Sequence, residues 1–278
     1  MGSQRVSVIV VSYNTRDLLR ECIASIEPVH DVIVVDNASS DGSAEMVAEE
    51  FPGAVVIRNE RNLGFGAANN RGMDAASGDL ILLLNSDAQA MPGAIEVLAN
   101  AMVEGVAAVG GKLLHPDGRM QESAAGSLSL WAVLCEQLYL ERVFHAYWRS
   151  SALPEGGEVE QVMGACLMMR PGTRFDERFF LYCEDTELCH RLRWQGQIRY
   201  VPQAEFFHHL GASTSGRRWW SVAMYNRGKE LYFLIHHGKV KAFACFLLNR
   251  LGALLRCFVK PKTFWRVLTA PLKGPSLP

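Results

Sequence analysis

A carboxylate and an amide follow directly after one of the most apolar segments of the chain. Residues 81–84 read ILLL, and Asn85, Ser86 and Asp87 come next. Such oxygens suit a divalent cation that holds a diphosphate, because Mg²⁺ takes only one or two protein carboxylates and fills its other positions with water and phosphate. A polar strand end that only begins a turn is the alternative. The segment therefore predicts either a metal site or a turn at the tip of a buried strand.

A pair of acids stands in FFLYCEDTELCHRLRWQG, residues 179–196. Glu184 and Asp185 come at the start of a predicted short helix that ends at Gly196. One of them could act as a general base that takes a proton from an attacking hydroxyl. Acids in the first turn of a helix also stabilise the helix dipole without any catalytic role. The residues alone leave both interpretations open.

Two other strand ends carry groups that could bind a nucleotide or a metal. Asp36 follows the run 32–35, where a carboxylate could accept the imide N–H of a uracil or thymine ring. An Asx turn and a capped helix explain the serines after it, but not Asp36 itself. His208 and His209 end another predicted strand, where a histidine is either a metal ligand or a structural side chain.

The elements that must position these side chains alternate between strands and helices. The chain has four short aliphatic runs, at residues 6–11, 32–35, 55–57 and 80–84, with amphipathic helical patterns between them. Continuous apolar strands that alternate with helices predict an α/β fold with a mostly parallel sheet covered on both faces. Ligands of such sheets bind at the carboxyl ends of the strands. The polar strand ends are therefore expected to converge on one crevice.

A glycine-containing segment, RNLGFGAANN at residues 61–70, resembles a dinucleotide-binding fingerprint. The spacing is Gly64-x-Gly66-x-x-Asn69, with asparagine where the third glycine should stand. That glycine allows close packing of helix on strand, so the asparagine disfavours a nicotinamide-dependent oxidoreductase. A glycine turn into a helix and a loop that binds a nucleotide donor are the two remaining interpretations.

Composition and charge divide the chain into a body and a tail. The 278 residues are 49% hydrophobic and 21% charged, which is typical of a globular protein. Residues 1–216 hold 28 acids and 16 lysines or arginines, whereas residues 217–278 hold 12 lysines or arginines and one acid, Glu230. We expect a domain at 1–216, with halves at 1–110 and 111–216, and a basic amphipathic helical tail at 217–278.

The cysteines and the N-terminus bear on localisation. Seven cysteines at unrelated spacings argue against a disulfide framework and a zinc site. Reduced, cytoplasmic thiols are the simplest expectation. The N-terminal sequence enters a strand-like run at once, without the layout of a signal peptide.

The basic tail predicts contact with a membrane surface or with a partner. Residues 242–255 are apolar but are interrupted by Asn249 and Arg250, and they are too short for a span of about 20 residues. Basic residues surround aromatic residues between 256 and 266, which suits an interfacial helix on anionic lipid. We expect peripheral membrane contact through residues 240–270, on the inner face of the cell membrane. A helical cap and a homo-oligomer contact are the alternatives.

Taken in order, these segments resemble a family-2 glycosyltransferase with the GT-A fold. The matching pieces are VSVIVVSYN, VIVVDNASSDGS, RNLGFGAANNRGM, LLLNSDAQ, MGACLMMR, FFLYCEDTELCHRLRWQG and HHLGAS, and they span roughly residues 5–215. Seven pieces in the right order and spacing make the resemblance specific. The NLGFGAANN, NSD and YCED variants are most similar to bacterial rhamnosyltransferases that extend surface polysaccharides.

The resemblance implies a role for each candidate residue. In the donor site, Tyr13 would stack on the nucleotide base, Asp36 would bond its imide edge, and Asn62 and Asn70 would shape the pocket. Asp87 matches the last acid of the Asp-x-Asp metal motif, and the spacing His-x-x-Gly-x-Ser assigns the metal-binding histidine to His208. Asp185 matches the base of inverting members, with Glu184 beside it. The sequence departs from the usual family pattern at Asn85, where many relatives carry aspartate.

The resemblance also implies a reaction and its partners. The expected reaction is metal-dependent, inverting transfer of a sugar from a nucleoside-diphosphate donor, with Mg²⁺ or Mn²⁺ and with dTDP-rhamnose favoured. The acceptor would be a hydroxyl of a lipid-linked or growing surface glycan, and no nucleic acid is expected as a partner. A non-catalytic nucleotide-sugar-binding module and a sugar-1-phosphate nucleotidyltransferase are the alternatives. The second would want a glycine-rich, lysine-containing loop after the first strand, where SYNTRD stands instead.

Overall fold

The computed structural model describes residues 4–209 and 218–270. Its N-terminal part alternates strictly between strands and helices. The elements are β1 (Val6–Ser12), α1 (Arg16–Ala24), β2 (Asp31–Asp36), α2 (Ser43–Glu50), β3 (Val55–Arg58), α3 (Phe65–Ala75) and β4 (Leu80–Asn85). The four aliphatic runs of the sequence are these four strands, and β1, β2 and β4 are largely buried, as continuous apolar strands in a covered sheet should be.

The middle of the chain has shorter and less regular elements. They are β5 (Ala88–Ala90), α4 (Ala94–Ala101), β6 (Val106–Leu114), β7 (Met120–Gln121), β8 (Ala124–Ala125), α5 (Leu130–Gln137), α6 (Glu141–Phe144), a 3₁₀ turn (Ser150–Ala152), β9 (Gly157–Val159), β10 (Gln161–Val162), β11 (Cys166–Met169), α7 (Glu184–Leu192) and β12 (Gln197–His208). The expected division near residue 110 falls inside β6, so the two proposed halves share one sheet.

Ten of the described strands form one sheet, whose main path runs β3-β2-β1-β4-β11-β6-β12-β5. Strands β3, β2, β1 and β4 run parallel to one another, and β6 is parallel to β12. Strand β11 runs antiparallel between β4 and β6, and β5 runs antiparallel to β12. The mostly parallel α/β sheet predicted from the sequence is confirmed, with β11 and β5 as antiparallel insertions.

Apolar side chains fill both faces of this sheet. One cluster packs β1, β4 and β6 against α1 and α4, with Leu19 and Leu98 fully buried. The other cluster packs the opposite side chains of the same strands against α3 and α7, with Ile9 and Leu188 fully buried. Because the strands are held from both sides, their carboxyl ends form a rigid platform for the loops that follow.

The C-terminal region is helical, as expected, and it packs on the sheet domain. Helix α8 (Arg218–Cys257) is interrupted at Gly238, whose φ of 83° is outside the helical region, and α9 (Pro261–Thr269) follows. Tyr232, Phe233 and Cys245 of α8 lie in an apolar cluster with residues of α5. By length and composition alone, α8 is the one helix of the described ranges that could cross a membrane.

One expectation cannot be compared with the structure. The glycine and serine of the His-x-x-Gly-x-Ser spacing are residues 211 and 213, which lie outside the described residues.

Candidate active site

A cavity of about 280 Å³ opens at the carboxyl ends of β1 and β4. Its walls come from loops after four strands, from the start of α7 and from the first turn of α8. Six of the eight predicted site residues line it: Tyr13, Asn62, Asp87, Glu184, Asp185 and His208. A larger depression of about 1550 Å³ lies at the opposite, amino-terminal ends of the strands, beside Arg5 and Val106, and holds none of these residues. We therefore take the smaller cavity as the candidate active site.

The pairing of β5 with β12 brings Asp87 and His208 together. Ser86 and Asp87 form the turn between β4 and β5, and Ala88 of β5 lies opposite His208 in the antiparallel ladder. As a result, Nε2 of His208 lies 3.3 Å from Oδ1 of Asp87. Both side chains are buried except where they line the cavity. The fold thus places an imidazole nitrogen beside a carboxylate oxygen at one wall of the site.

Gln121 of β7 fixes the orientation of the His208 ring. Its Nε2 donates to the backbone carbonyl oxygen of His208 (2.6 Å), and its Oε1 lies 3.0 Å from Nδ1 of the same residue. A carbonyl oxygen only accepts, so the amide orientation is determined and Oε1 must accept the Nδ1–H. In the neutral ring the lone pair is then on Nε2, which faces Asp87 and the amide nitrogen of Asn85, 3.3 Å away.

The Asp87–His208 pair fits a divalent cation with a small number of protein ligands. A carboxylate oxygen and an imidazole lone pair point to the same place, and Gln121 holds the other ring nitrogen, as partners of metal-binding histidines do. Among the described residues there is no group of three or more His, Cys, Asp or Glu placed to bind a metal. A site with two protein ligands leaves its remaining positions for water and for the oxygens of a diphosphate.

Glu184 and Asp185 occupy the first turn of α7 and also line the cavity. The backbone N–H of Gly164 donates to Oδ2 of Asp185 (3.0 Å), and that of Thr186 donates to Oδ1 (2.8 Å). Burial raises the pKa of Asp185, while these hydrogen bonds oppose the rise. Asp185 is therefore a carboxylate of fixed orientation whose affinity for a proton is above the usual value, which suits a general base.

Glu184 differs from Asp185 in having an unsatisfied oxygen. Its Oε2 is buried and has no hydrogen-bond partner among the described residues. Burial, and then the charge of Asp185, raise the pKa of Glu184 well above the ordinary value for a glutamate. Two neighbouring carboxyl groups that differ in environment in this way can hold different protonation states at the same pH.

An asparagine network shapes the side of the cavity where the loop after β3 lies. Asn37 Nδ2 donates to Asn62 Oδ1 (2.9 Å), and Asn37 Oδ1 accepts from the backbone N–H of Leu63 (2.9 Å). Gly64 follows with a φ of 87°, and a Cβ there would collide with the backbone oxygen of Phe180. Only glycine fits this approach, so the chain turns at Gly64 into α3, which is compatible with both interpretations of the segment.

Asp36 and Asn70 lie outside the lining of the cavity. Asp36 ends β2 opposite Ser12 of β1, one residue before the cavity-lining Tyr13. Its Oδ2 accepts from the backbone N–H of Ser39, whereas its buried Oδ1 has no partner among the described residues. Asn70 is buried in α3 and binds the backbone of Phe175 through both ends of its amide.

Three residues of the site were not selected from the sequence. Asn37 directly follows Asp36, Gln121 stands in a two-residue strand, and Trp220 belongs to the predicted tail. Trp220 is buried, lines the cavity and packs edge-on against Phe180, with ring centroids 6.3 Å apart. A polar residue at a strand tip could have indicated Asn37, but no local pattern indicates the other two.

Comparison with known proteins agrees with this geometry. Residues 7–147 match the sequence family described as Glycosyl transferase family 2. Over 259 residues the chain is 29% identical to the N-acetylglucosaminyl-diphospho-decaprenol L-rhamnosyltransferase of Mycobacterium tuberculosis, which covers 83% of this chain and 84% of that protein. The resemblance to family-2 enzymes similar to rhamnosyltransferases is therefore confirmed.

Solved structures show the same fold at low sequence identity. A mannosyltransferase from Pyrobaculum calidifontis, PcManGT, in complex with GDP-Man and Mn²⁺, matches all of this chain and 78% of its own, with a TM-score of 0.59 and 19% identity. GalNAc-T7 with UDP, GalNAc and Mn²⁺ matches 82% of this chain, which spans about half (48%) of that structure, with a TM-score of 0.59 and 17% identity. The GT-A fold expected from the sequence is confirmed. The protein belongs to glycosyltransferase family 2.

Proposed function

We propose that the protein is an inverting glycosyltransferase that moves rhamnose from dTDP-rhamnose to a hydroxyl group of a lipid-linked or growing surface glycan. One observation carries the proposal: a single cavity holds the Asp87–His208 pair and the carboxyl groups of Glu184 and Asp185. A site that only bound a nucleotide sugar would have no use for a buried, hydrogen-bonded base beside the diphosphate site.

The donor nucleotide would lie at the ends of β1 and β2. Tyr13 lines the cavity next to Asp36, whose buried Oδ1 has no partner among the described residues. A carboxylate with an unused lone pair can accept the imide N–H of thymine or uracil, and a tyrosine ring can stack on the base. Asn62, held by Asn37, would shape the wall beside the ribose and diphosphate.

Asp87 and His208 would bind the diphosphate through Mg²⁺ or Mn²⁺. When bound, the cation neutralises negative charge that develops on the departing nucleoside diphosphate. Two structural neighbours contain Mn²⁺ together with a nucleotide or nucleotide sugar, which supports this assignment. Because Gln121 already holds the ring of His208, the ligand needs no reorientation before binding.

Asp185 would supply the base for a single displacement. Its carboxylate takes the proton of the acceptor hydroxyl while that oxygen forms a bond to the anomeric carbon. The bond from this carbon to the diphosphate breaks, and its electron pair leaves with the nucleoside diphosphate. Burial raises the pKa of Glu184 well above the ordinary value for a glutamate, so it binds a proton more readily than an exposed one and, when protonated, can donate a hydrogen bond into the cavity. Both side chains act at fixed positions, so orientation and electrostatics would provide most of the acceleration.

Sequence similarity and the cysteines support the choice of sugar, acceptor and compartment. Similarity over 83% of the chain to a rhamnosyltransferase whose acceptor is a diphospho-decaprenol supports rhamnose and a lipid-linked acceptor. All seven cysteines are free thiols, which supports a reducing cytoplasm.

A panel of nucleotide sugars, with dTDP-rhamnose first, tests the proposal directly. Purified protein is titrated with each compound by calorimetry, with and without Mn²⁺, and slow hydrolysis of the bound donor is then followed. We expect metal-dependent binding of dTDP-rhamnose and release of dTDP. Binding without any hydrolysis or transfer would favour the nucleotide-sugar-binding module, and tighter binding of another donor would overturn the assignment of rhamnose.

A further inference from the structure

The second half of α8 and the turn that follows it, residues 239–258, carry a row of exposed apolar side chains. The row, called here the apolar ridge, consists of Val240, Phe243, Leu247, Leu251, Leu254 and Phe258. The first five positions are three or four residues apart within α8, so they share one face of the helix, and Phe258 follows directly after the end of the helix. Val240 is 85% exposed and Phe258 is 86% exposed. An apolar surface of this length is unusual for a solvated helix and indicates an interaction site.

The opposite face of the same helix packs against the rest of the protein. Asn249 is buried and donates to Glu230 (3.0 Å), and Arg250 donates to the backbone oxygen of Ala270 (3.0 Å). Gly252 packs so closely on α5 that a Cβ there would collide with the side-chain oxygen of Gln137. Because crossing a bilayer would break these contacts, the helix is suited to lie along a surface with the ridge outward.

The charges around the ridge indicate which kind of surface it binds. The flanking residues Lys239, Lys241, Lys260, Lys262 and Arg266 are all exposed, and no acid follows Glu230 in the sequence. Two copies of the chain joined through this face would bring like charges together, which disfavours a dimer. Anionic lipid headgroups complement both the cations and the apolar side chains between them.

A cationic cleft adjoins the C-terminal end of the ridge. This cavity of about 340 Å³ lies between α5, α8 and α9, and Arg218, Arg256 and Lys260 line it. The rim residue Val259 is 77% exposed and follows Phe258 directly. Within residues 4–209 and 218–270, none of the three cations forms an ion pair. The acid of the cleft, Glu136, is already paired with the buried Lys229 at 2.8 Å.

The cleft and the candidate active site lie on two sides of the same helix. Arg218, Val222 and Tyr225 face the cleft, whereas Trp220 lines the active-site cavity. Positions 218, 222 and 225 share one face of α8, and position 220 lies on another. The first turns of α8 therefore separate a cationic cleft beside the apolar ridge from the cavity in which transfer is proposed.

We propose that the apolar ridge and the cationic cleft together bind the membrane-embedded, diphosphate-bearing lipid of the acceptor. The ridge inserts among the acyl chains, and the cleft binds the phosphate groups with Arg218 and Lys260. Arg256 donates to Gln137, Tyr139 and the backbone oxygen of Glu136, and it adds a fixed positive charge to the lining of the cleft. The sugar attached to the diphosphate then reaches around the start of α8 toward Asp185. This inference rests on the proposed transfer to a lipid-linked acceptor.

Vesicle co-sedimentation of the full chain tests both parts. The vesicles contain phosphatidylcholine alone, phosphatidylcholine with phosphatidylglycerol, or phosphatidylcholine with a small fraction of a polyprenyl diphosphate. We expect weak binding to the first and clear binding to the second. Binding per anionic charge should be tightest to the third, because the cleft can enclose a diphosphate.

Paired variants distinguish insertion of the ridge from non-specific hydrophobic adsorption. They also distinguish diphosphate binding in the cleft from non-specific electrostatic attraction. Phe243→Ser with Phe258→Ser should lower binding to all charged vesicles by about tenfold or more, since two large apolar side chains no longer insert. The control Trp194→Ser with Val143→Ser removes equally exposed apolar groups elsewhere and should bind as wild type. Arg218→Ala with Lys260→Ala should abolish the preference for the diphosphate lipid, whereas Lys239→Ala with Lys241→Ala should weaken binding but keep that preference.

Two results would overturn the inference. One is wild-type vesicle binding by the Phe243 and Phe258 variant, and the other is an unchanged diphosphate preference in the Arg218 and Lys260 variant. Calorimetry with dTDP separates this inference from the proposed function. Protein that binds dTDP but no vesicle refutes only the lipid site, and protein that binds vesicles but no nucleotide refutes the proposed donor.

Discussion

Two hydrogen bonds join the side chain of Gln121 to His208. The amide nitrogen of Gln121 donates to the backbone oxygen of His208, and its amide oxygen accepts from Nδ1 of the ring. The pair is buried, and the contact directs Nε2 of His208 toward Asp87. A residue that never lines the cavity thereby determines which nitrogen of the histidine is available to a metal ion.

We predict that Gln121→Leu lowers the affinity for Mn²⁺ by about 10–100-fold, the usual effect of removing such a partner. The reason is that the ring can then rotate or adopt the other tautomer. Titration followed by the electron paramagnetic resonance of free Mn²⁺ measures the affinity without any need for turnover. Gln121→Glu should retain more affinity, because its carboxylate still accepts the Nδ1–H.

The control for this prediction is Gln195→Leu, since the side chain of Gln195 bonds only to Thr173 among the described residues, outside the candidate active site. It should bind Mn²⁺ as wild type. Equal Mn²⁺ affinity of the wild type and Gln121→Leu would show that Gln121 does not position the histidine.

A second prediction concerns the base. Asp185→Asn keeps the size of the side chain, and its amide oxygen can still accept one of the two backbone hydrogen bonds, from Gly164 or Thr186. It cannot take a proton, so we expect kcat for transfer to fall by about 10²–10⁴-fold, with the affinity for dTDP unchanged. Initial rates with saturating donor, together with calorimetry, separate the two quantities. Asp117→Asn, an exposed acid paired with Arg119, serves as the control. Near-wild-type turnover of Asp185→Asn would refute the assignment.

Sequence reasoning located the buried parallel strands and the edge of the sheet at which they end. Asp36 and Asp87 each follow a buried run, and parallel strands deliver their carboxyl ends to one edge of the sheet. The Asp87–His208 contact, in contrast, depends on β5, whose three residues, AQA, are too few for their alternation to predict a strand. The family resemblance, rather than periodicity, identified His208.

Gln121 and Trp220 could not have been assigned to the site from the sequence, because their roles arise from long-range packing. Gln121 reaches His208 only because β7 and β12 both flank β6. Trp220 lines the cavity because α8 docks on α5 through Tyr232 and Phe233. The composition of the tail indicated a basic helix, but it gave no sign that the first turn of that helix closes the active site.

A third prediction follows from the raised pKa of Glu184. Its folded-state pKa lies well above the unfolded value, so between those values the folded protein binds more protons than the unfolded chain. The free energy of unfolding therefore decreases as the pH rises above the ordinary glutamate pKa of about 4.3. Glu184→Gln cannot ionise, so its melting temperature should exceed that of the wild type by an increasing margin from acidic to neutral pH.

Thermal unfolding followed by circular dichroism at several pH values measures this margin. The comparison variant is Glu45→Gln, because Arg58 lowers the pKa of the exposed Glu45 and reverses the sign of the pH dependence. That variant should lose a little stability, not gain it, as the pH rises, since exposed pairs contribute little. A margin for Glu184→Gln that does not change with pH would contradict the assigned pKa shift.

The last prediction tests whether Asp36 accepts a hydrogen bond from the nucleotide base. Asp36→Asn has almost the same shape and can still accept the hydrogen bond from the backbone of Ser39. Its other position becomes an N–H donor, which would face the imide N–H of thymine or uracil. Loss of a hydrogen bond to a charged acceptor corresponds to about 10–100-fold weaker binding of dTDP and UDP.

Cytosine provides the matched control ligand, because its ring nitrogen at the same place accepts a hydrogen bond and carries no hydrogen. Asp36→Asn should therefore bind CDP at least as well as the wild type does, and the preference between dTDP and CDP should shrink or reverse. Calorimetry with the three nucleotides in the presence of Mn²⁺ measures all of these affinities. If Asp36→Asn weakens the binding of dTDP and CDP equally, the residue supports the loop at Ser39 and does not contact the base. A reversal of preference would place the base edge against the buried Oδ1, the atom that has no partner among the described residues.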